Sequence, residues 1–308
     1  MAKCVFDAHV HFTNRSVVSY DWMGETPGLS ATHEYTEAEL VAHAAASGIT
    51  ITGAIFVEVG CNAGPAPDDT DDAAATLREA RWMLSRAADP SSIVAGVVAN
   101  IPVTQGGAAV GAWLDQLRDE SGALPAALRG ARNVLNGAPA DALVDPTFIE
   151  GVRVLAANGL AYEICAKPHA LAHVATLCQA VPDGRFVLDH LLYGGELAPF
   201  CTAIDAIAAG CPNLVAAKLG GIEEWEVDDP APHMEYALRT LGLGRCVFEG
   251  NWFMSEHFKD GQPYAKTYDC VVAALEAVGA TPAQVEDVLS NNAQKAYGVG
   301  VGASAAAL

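Results

Sequence analysis

Two histidines stand one residue apart near the start of the chain, in Asp7-Ala8-His9-Val10-His11-Phe12. In an extended segment an i, i+2 pair turns both imidazoles to one side. They are then close enough to share a divalent ion or to donate together to a carbonyl oxygen. A lone histidine would first be read as a satisfied core group, but a pair closing an apolar run fits that reading poorly. A third, His190, closes the apolar run Phe186-Val187-Leu188-Asp189. Glu163 lies within Tyr162-Glu163-Ile164-Cys165, and Glu58 ends the run that begins at Ile51. Either carboxylate could take a proton from water or stand behind the histidines as a buried partner. His169, at the start of the following helix, is a weaker candidate for substrate contact.

The cationic candidates are Arg129, Arg132 and Lys218. Guanidinium groups hold carboxylates bidentately, so Arg129-Gly130-Ala131-Arg132 could grip an anionic substrate. A rim salt bridge is the plainer reading of Arg129. Lys218 interrupts the apolar run Val215-Ala216-Ala217-Lys218-Leu219 and must be paired or functional, because a lone buried ammonium is costly. In Val247-Phe248-Glu249-Gly250-Asn251-Trp252, Glu249 and Asn251 share a face. Trp252, like Trp22 and Trp225, could wall a flat ring or simply pack.

The elements that would position these groups repeat along the chain. Short β-branched runs span Cys4–His9, Ile51–Glu58, Ile93–Ala99, Leu128–Arg132, Leu160–Cys165, Arg185–His190, Leu214–Leu219 and Cys246–Asn251. Stretches with helical spacing follow them, near 36–47, 70–88, 107–119, 145–158, 168–181, 196–209, 231–241 and 264–278. A last helix over 281–297 opens on Thr281-Pro282, a capping residue followed by proline. Eight β-then-α units predict an α/β fold, a single-domain (β/α)8 TIM barrel over 1–298. Residues 299–308 form a small-residue tail with the composition of a disordered end. An open doubly wound sheet would want a glycine-rich phosphate loop after the first strand, and none is present. Residues 60–72 read as an acidic rim loop.

Composition narrows the function. Of 308 residues, 17 are Lys or Arg and 37 are Asp or Glu, a formal charge of −20; 51% are apolar and 18% charged. So acidic a surface disfavours nucleic-acid and anionic-membrane binding, and no apolar run is long enough to span a bilayer. Eight scattered cysteines without a Cys-x-x-Cys pair read as reduced thiols, which points to the cytoplasm. Oligomeric state is not readable, and a homo-oligomer stays open.

Taken in order, Asp7-Ala8-His9-Val10-His11-Phe12, Leu128 to Asn136, Val187-Leu188-Asp189-His190, Cys246 to Trp252 and Asn292 to Tyr297 resemble the amidohydrolase superfamily. The likeness is to its branch of 2-pyrone-4,6-dicarboxylate and sugar-acid lactonases. The resemblance implies that His9, His11 and His190 surround a scissile carbonyl, and that Arg132, with Arg129, holds a substrate carboxylate. Metal-dependent members use a Lys or Glu on strand four, a His on strand five and an Asp on strand eight. Here strand four carries arginines and Asn251 replaces the Asp, which argues against a binuclear site. Either no cofactor or one divalent metal such as zinc is implied, on His9 and His11 with His190 or Glu163. Asn251 cannot accept a proton as an aspartate would, though it could orient the attacking water or donate to the oxyanion, so the general base passes to Glu58, Glu163, Asp189 or Glu249, with Glu58 and Glu163 preferred. The activity expected is hydrolysis of a small cyclic ester, a lactone. The alternatives are a metal-dependent decarboxylase or amidohydrolase on the same barrel, or a catalytically lapsed ligand-binding barrel.

Overall fold

The computed structural model describes residues 3–30, 32–63, 72–225, 227–257 and 264–300. The tail from 301 and most of the 60–72 loop lie outside them. Strands β1 (Lys3–Val10), β2 (Ile49–Val57), β3 (Val94–Ala99), β4 (Leu128–Val134), β5 (Ala161–Cys165), β6 (Arg185–Leu188), β7 (Leu214–Leu219) and β8 (Cys246–Phe248) pair in parallel, in sequence order. Just past β8 the sheet curls back on β1. Val10 bridges Trp252, the Asn251 N–H donates to the His9 carbonyl at 3.0 Å, and the His11 N–H donates to the Trp252 carbonyl at 2.7 Å. The result is a single-domain (β/α)8 barrel.

The sixth and eighth strands end earlier than expected. β6 stops at Leu188 and β8 at Phe248 because the chain enters left-handed backbone, with φ of 53° at His190 and 48° at Asn251. The closing helix begins as expected. The Thr281 side chain accepts from the Gln284 N–H with Pro282 in the first turn, but Asp287–Asn291 widen into a π turn before Asn292–Tyr297. Among the described residues no helix is long and apolar enough to cross a membrane.

Two cores result. The larger lies between strands and helices, as for Phe56, Val97, Leu155 and Ile204. The smaller fills the barrel with Phe6, Ala8, Ile55, Val57, Val98, Val187, Ala216 and Val247, and it includes Ala293, Ala296 and Tyr297 of the closing helix. Arg185, at the start of β6, donates to the Ala296 carbonyl at 2.5 Å, so this helix plugs the end of the barrel where the strands begin.

One slip of register decides what β1 presents to the mouth. The β1–β2 ladder shifts between Asp7 and Val10. Phe6 and Ala8 face the interior, and after the slip His9 and His11 do so as well. Asp7 instead faces the seam between β1 and β8. There its carboxylate accepts from the N–H groups of His9 (3.0 Å) and Gly250 (2.9 Å) and from the Tyr264 hydroxyl (2.6 Å). A side chain at Gly250 would run into both Tyr264 and that carboxylate, so glycine is required. Asp7→Ala would take one acceptor away from three buried donors. Each such loss costs about 1–3 kcal/mol. The variant should unfold at clearly lower urea concentration than wild type, by roughly 3 kcal/mol or more.

Candidate active site

The polar residues of the strand ends meet at the mouth of the barrel, and Lys218 is central. Its Nζ, fully buried, lies 2.6 Å from Glu163 Oε2, 2.9 Å from Asp189 Oδ1 and 3.1 Å from His9 Nδ1. Burial by itself would weaken the ammonium; Asp189 and Glu163 outweigh it and hold its pKa above the usual lysine value. In return Asp189, against the pull of burial, is kept well below the ordinary carboxylate range, chiefly by Lys218 and then by His9. Glu163 also accepts from the Tyr297 hydroxyl of the plugging helix.

Arg132 is bound just as fully. Its Nε donates to Glu58 Oε1 at 2.8 Å, its Nη2 donates to the Glu58 carbonyl, and its Nη1 lies 3.2 Å from His9 Nε2 and 3.6 Å from Asp189. Glu58 Oε2 accepts from the Gly60 N–H at 2.8 Å and from Asn100 at 3.3 Å. Both oxygens of Glu58 are therefore occupied.

The histidines differ in state. His11 Nδ1 lies 2.8 Å from the Val57 carbonyl, which can only accept, so the proton is on Nδ1 and a lone pair on Nε2. That lone pair points at His9 Nε2, 3.2 Å away. Burial, then Lys218, drops the His9 pKa to about 4, and burial with His9 and Arg132 nearby pushes His11 well below its usual value. His190 behaves oppositely. Its Nδ1 is 2.9 Å from Glu249 Oε1, and although burial opposes charge there, Glu249 carries its pKa up to about 9. His190 in turn lowers Glu249 to about 2. His190 is thus an imidazolium at neutral pH while His9 and His11 are neutral.

The backbone that aims His190 is strained. His190 to Tyr193 all carry positive φ, from 45° to 62°, a run of four non-glycine residues in left-handed backbone. Such residues cost on the order of 1–2 kcal/mol each. The turn is held by the bond from the His190 N–H to Glu249 and by Gly221, where any side chain would overlap the imidazole.

At the far wall, Asn251 Nδ2 donates to Glu223 Oε1 at 2.7 Å and to Glu224 Oε1 at 3.0 Å. A cavity of about 300 Å³ opens beneath the mouth, lined by His11, Arg132, His190, Glu224, Asn251, Tyr193, Asn136, Cys165, Trp22, Val59, Gly60, Val134 and Met254.

Several expected residues are therefore together and several are not. His9, Glu58, Glu163 and Lys218 sit behind the lining groups as their partners. Arg129 is at the opposite end of the barrel, its side chain close to Gly96 and Gly298, and it cannot share a ligand with Arg132. His169 is exposed and bonds the Ala138 carbonyl. Trp252 is buried behind the mouth against Phe12 and Tyr35, and of the three tryptophans only Trp22 lines the cavity. Tyr193 and Glu224, not expected from the sequence, also line the cavity. The acidic pair Glu223-Glu224, directly after the run that ends in Leu219-Gly220-Gly221, was the available signal for the second.

One group of ligand atoms among the described residues fits a divalent ion. It is His9, Asp189 and His190, all within 4.8 Å of one another. Asp189 takes the place that His11 held in the sequence reading, and His11 lies outside the group. An ion there would share Asp189 with Lys218, 2.9 Å from Oδ1, and with Arg132, 3.6 Å from Oδ2.

The amidohydrolase family description matches residues 6–299. The chain belongs to the amidohydrolase family. An amidohydrolase from Burkholderia multivorans with bound zinc is 22% identical over 96% of this chain and 100% of its own, with a TM-score of 0.73. A Pseudomonas putida protein assigned as a 2-pyrone-4,6-dicarboxylic acid hydrolase is 15% identical, covering 96% and 97%, with a TM-score of 0.60. A dihydroxybenzoic acid decarboxylase from Polaromonas sp. JS666, with manganese and 2-nitroresorcinol, is 12% identical, covering 96% and 97%, with a TM-score of 0.61. No curated protein gives a significant match. The likenesses place this amidohydrolase on the fold of these enzymes, the lactonase-like branch included.

Two outcomes follow from the buried charges. Lys218→Met leaves Asp189 and Glu163 without their cation and should destabilise the protein by about 3–5 kcal/mol in urea unfolding. The His190–Glu249 pair sets a pH window. A raised His190 pKa gives stability that is complete below 6.5 and lost as pH climbs through about 9; a lowered Glu249 pKa gives stability lost as pH falls from 4.5 towards 2. Chelator-treated wild type should therefore lose more stability between pH 6.5 and 9 than chelator-treated His190→Asn.

Proposed function

We propose that this amidohydrolase opens a small cyclic ester by adding water to its carbonyl. The observation that carries the reading is the wall of the cavity, which sets the protonated His190 and the guanidinium of Arg132 opposite carboxylate chemistry in about 300 Å³. A donor already charged stabilises the oxyanion that forms as the carbonyl carbon becomes tetrahedral, without having to reorganise. His190 keeps its charge because Glu249 stands behind it, and Trp22 offers a flat face to a planar or ring-shaped substrate.

Among the described residues Arg132 and His190 are the only cationic side chains on the cavity wall, and the Arg132 donors already meet Glu58, His9 and Asp189. The anionic substrate expected from the β4 arginines thus has one guanidinium to hold it, already partly neutralised. Anionic and neutral lactones compared side by side test whether that guanidinium favours an anion.

In a metal-loaded form His9, Asp189 and His190 would hold a divalent ion, zinc by analogy with the Burkholderia neighbour, and the ion would then supply Lewis-acid polarisation of the carbonyl oxygen in place of the His190 imidazolium. Because His190 must give up its proton to become a ligand, ion binding should strengthen as pH rises. Titration calorimetry with zinc or manganese checks this, and Asp189→Asn should weaken binding at every pH.

Decarboxylation is the second reading, favoured by the manganese-bearing neighbour. A panel of lactones followed by acid release, with CO2 measured in parallel, separates the two. We expect acid release without CO2, and a fall of ~10²–10³ in rate for His190→Ala. CO2 release with every lactone left intact would overturn the hydrolytic reading, and binding without turnover would favour a lapsed barrel.

A further inference from the structure

An aspartate in place of Asn251 would be the natural acceptor for the proton of an attacking water, and the amide cannot play that part. The surroundings of Asn251 show where the role has gone. Its Nδ2 carries two hydrogens, and both are spent, one on Glu223 Oε1 at 2.7 Å and one on Glu224 Oε1 at 3.0 Å. The amide plane is thereby locked. Its Oδ1, buried and without a hydrogen-bond partner, belongs to a residue that lines the cavity. Asn251 can accept a hydrogen bond there but cannot donate one to an oxyanion.

The two glutamates differ. Glu223 is buried, with Oε2 lacking any donor. Burial, with Glu224 beside it, raises its pKa to about 8 and favours the neutral acid. Glu224 is half-buried and lines the cavity, facing His190, Tyr193 and Cys165. No other carboxylate reaches the cavity wall among the described residues. Glu58 is saturated by Arg132, Gly60 and Asn100, and Glu163 by Lys218 and Tyr297.

We propose that Glu224 is the general base of this enzyme, held in place by Asn251, whose Oδ1 accepts the second hydrogen of the attacking water. The assignment rests on the hydrolytic reading given above. In the step itself the water oxygen forms a bond to the carbonyl carbon as Glu224 takes one of its protons. The carbonyl π pair moves onto the oxygen facing His190. When that pair returns, the ring C–O bond breaks, and the departing alkoxide receives the proton held by Glu224. Lactone and water become one hydroxy acid, and the carboxylate is restored.

The inference makes an unusual demand. Restoring an aspartate at position 251 should harm the enzyme, because it would press a third carboxylate against Glu223 and Glu224 and remove both donated hydrogen bonds. On a lactone that wild type opens, Glu224→Gln should lower kcat by about 10²–10⁴-fold with little change in KM. It should also abolish the fall of kcat/KM on the acidic side of the pH profile, while Glu224→Asp keeps that limb and part of the rate. Asn251→Asp should lower kcat more than tenfold and should lose thermal stability between pH 5 and 8 relative to wild type. Adding Glu224→Gln to it should return that stability without returning activity. Glu224→Gln at wild-type rate, or Asn251→Asp faster than wild type, would overturn the base assignment while leaving the hydrolytic reading intact. A wild type that opens no lactone removes both together.

Discussion

A single ammonium organises the mouth of this barrel. Lys218 Nζ stands on the interior face of β7 with a carboxylate from β5, a carboxylate from the end of β6 and an imidazole from β1 all within about 3 Å. None of these groups would tolerate its position alone. An isolated buried charge costs several kcal/mol, and the cost is offset only when every partner is in place. The strands are thus tied by electrostatics as well as by their ladders, and the state of each histidine follows from where it lies relative to that charge. His9, beside Lys218, stays neutral; His190, backed by Glu249, does not.

The left-handed turn from His190 to Tyr193 is the other place where local preference is overruled. Four consecutive side chains occupy backbone that L-residues avoid, and the gain is orientation. The turn brings His190 onto Glu249 while Tyr193 reaches Asn136 and Cys165 across the cavity, at 3.1 and 3.3 Å. Glycines 194 and 221 make room for it, the first against Trp225 and the second against His190 itself.

The barrel was legible from sequence because periodicity survives in every unit, and each strand core lies where its β-branched run predicts. The histidines His9, His11 and His190 were legible because polar groups closing apolar strands have few structural explanations. What escaped was direction and depth. Arg129 and Arg132 are three residues apart on one strand, which sends one to each end of the barrel, and no composition argument separates them. Glu58 and Glu163 end up behind the site because Arg132 and Lys218 claim their oxygens, a matter of long-range pairing. The slip between Asp7 and Val10 makes Asp7 the fastener of the seam, and nothing in the residue types announces it. Glu224 was hidden by its place in a short turn just beyond a strand.

Tyr297 sits in the plug at the opposite end of the barrel, yet its hydroxyl bonds the same Glu163 that holds Lys218. Synthesis must therefore proceed through the closing helix before the central ammonium has its full set of supports. Until then the mouth of the barrel is not settled. Damage at that helix, though far from the mouth, would therefore reach the reaction centre through Glu163 and Lys218.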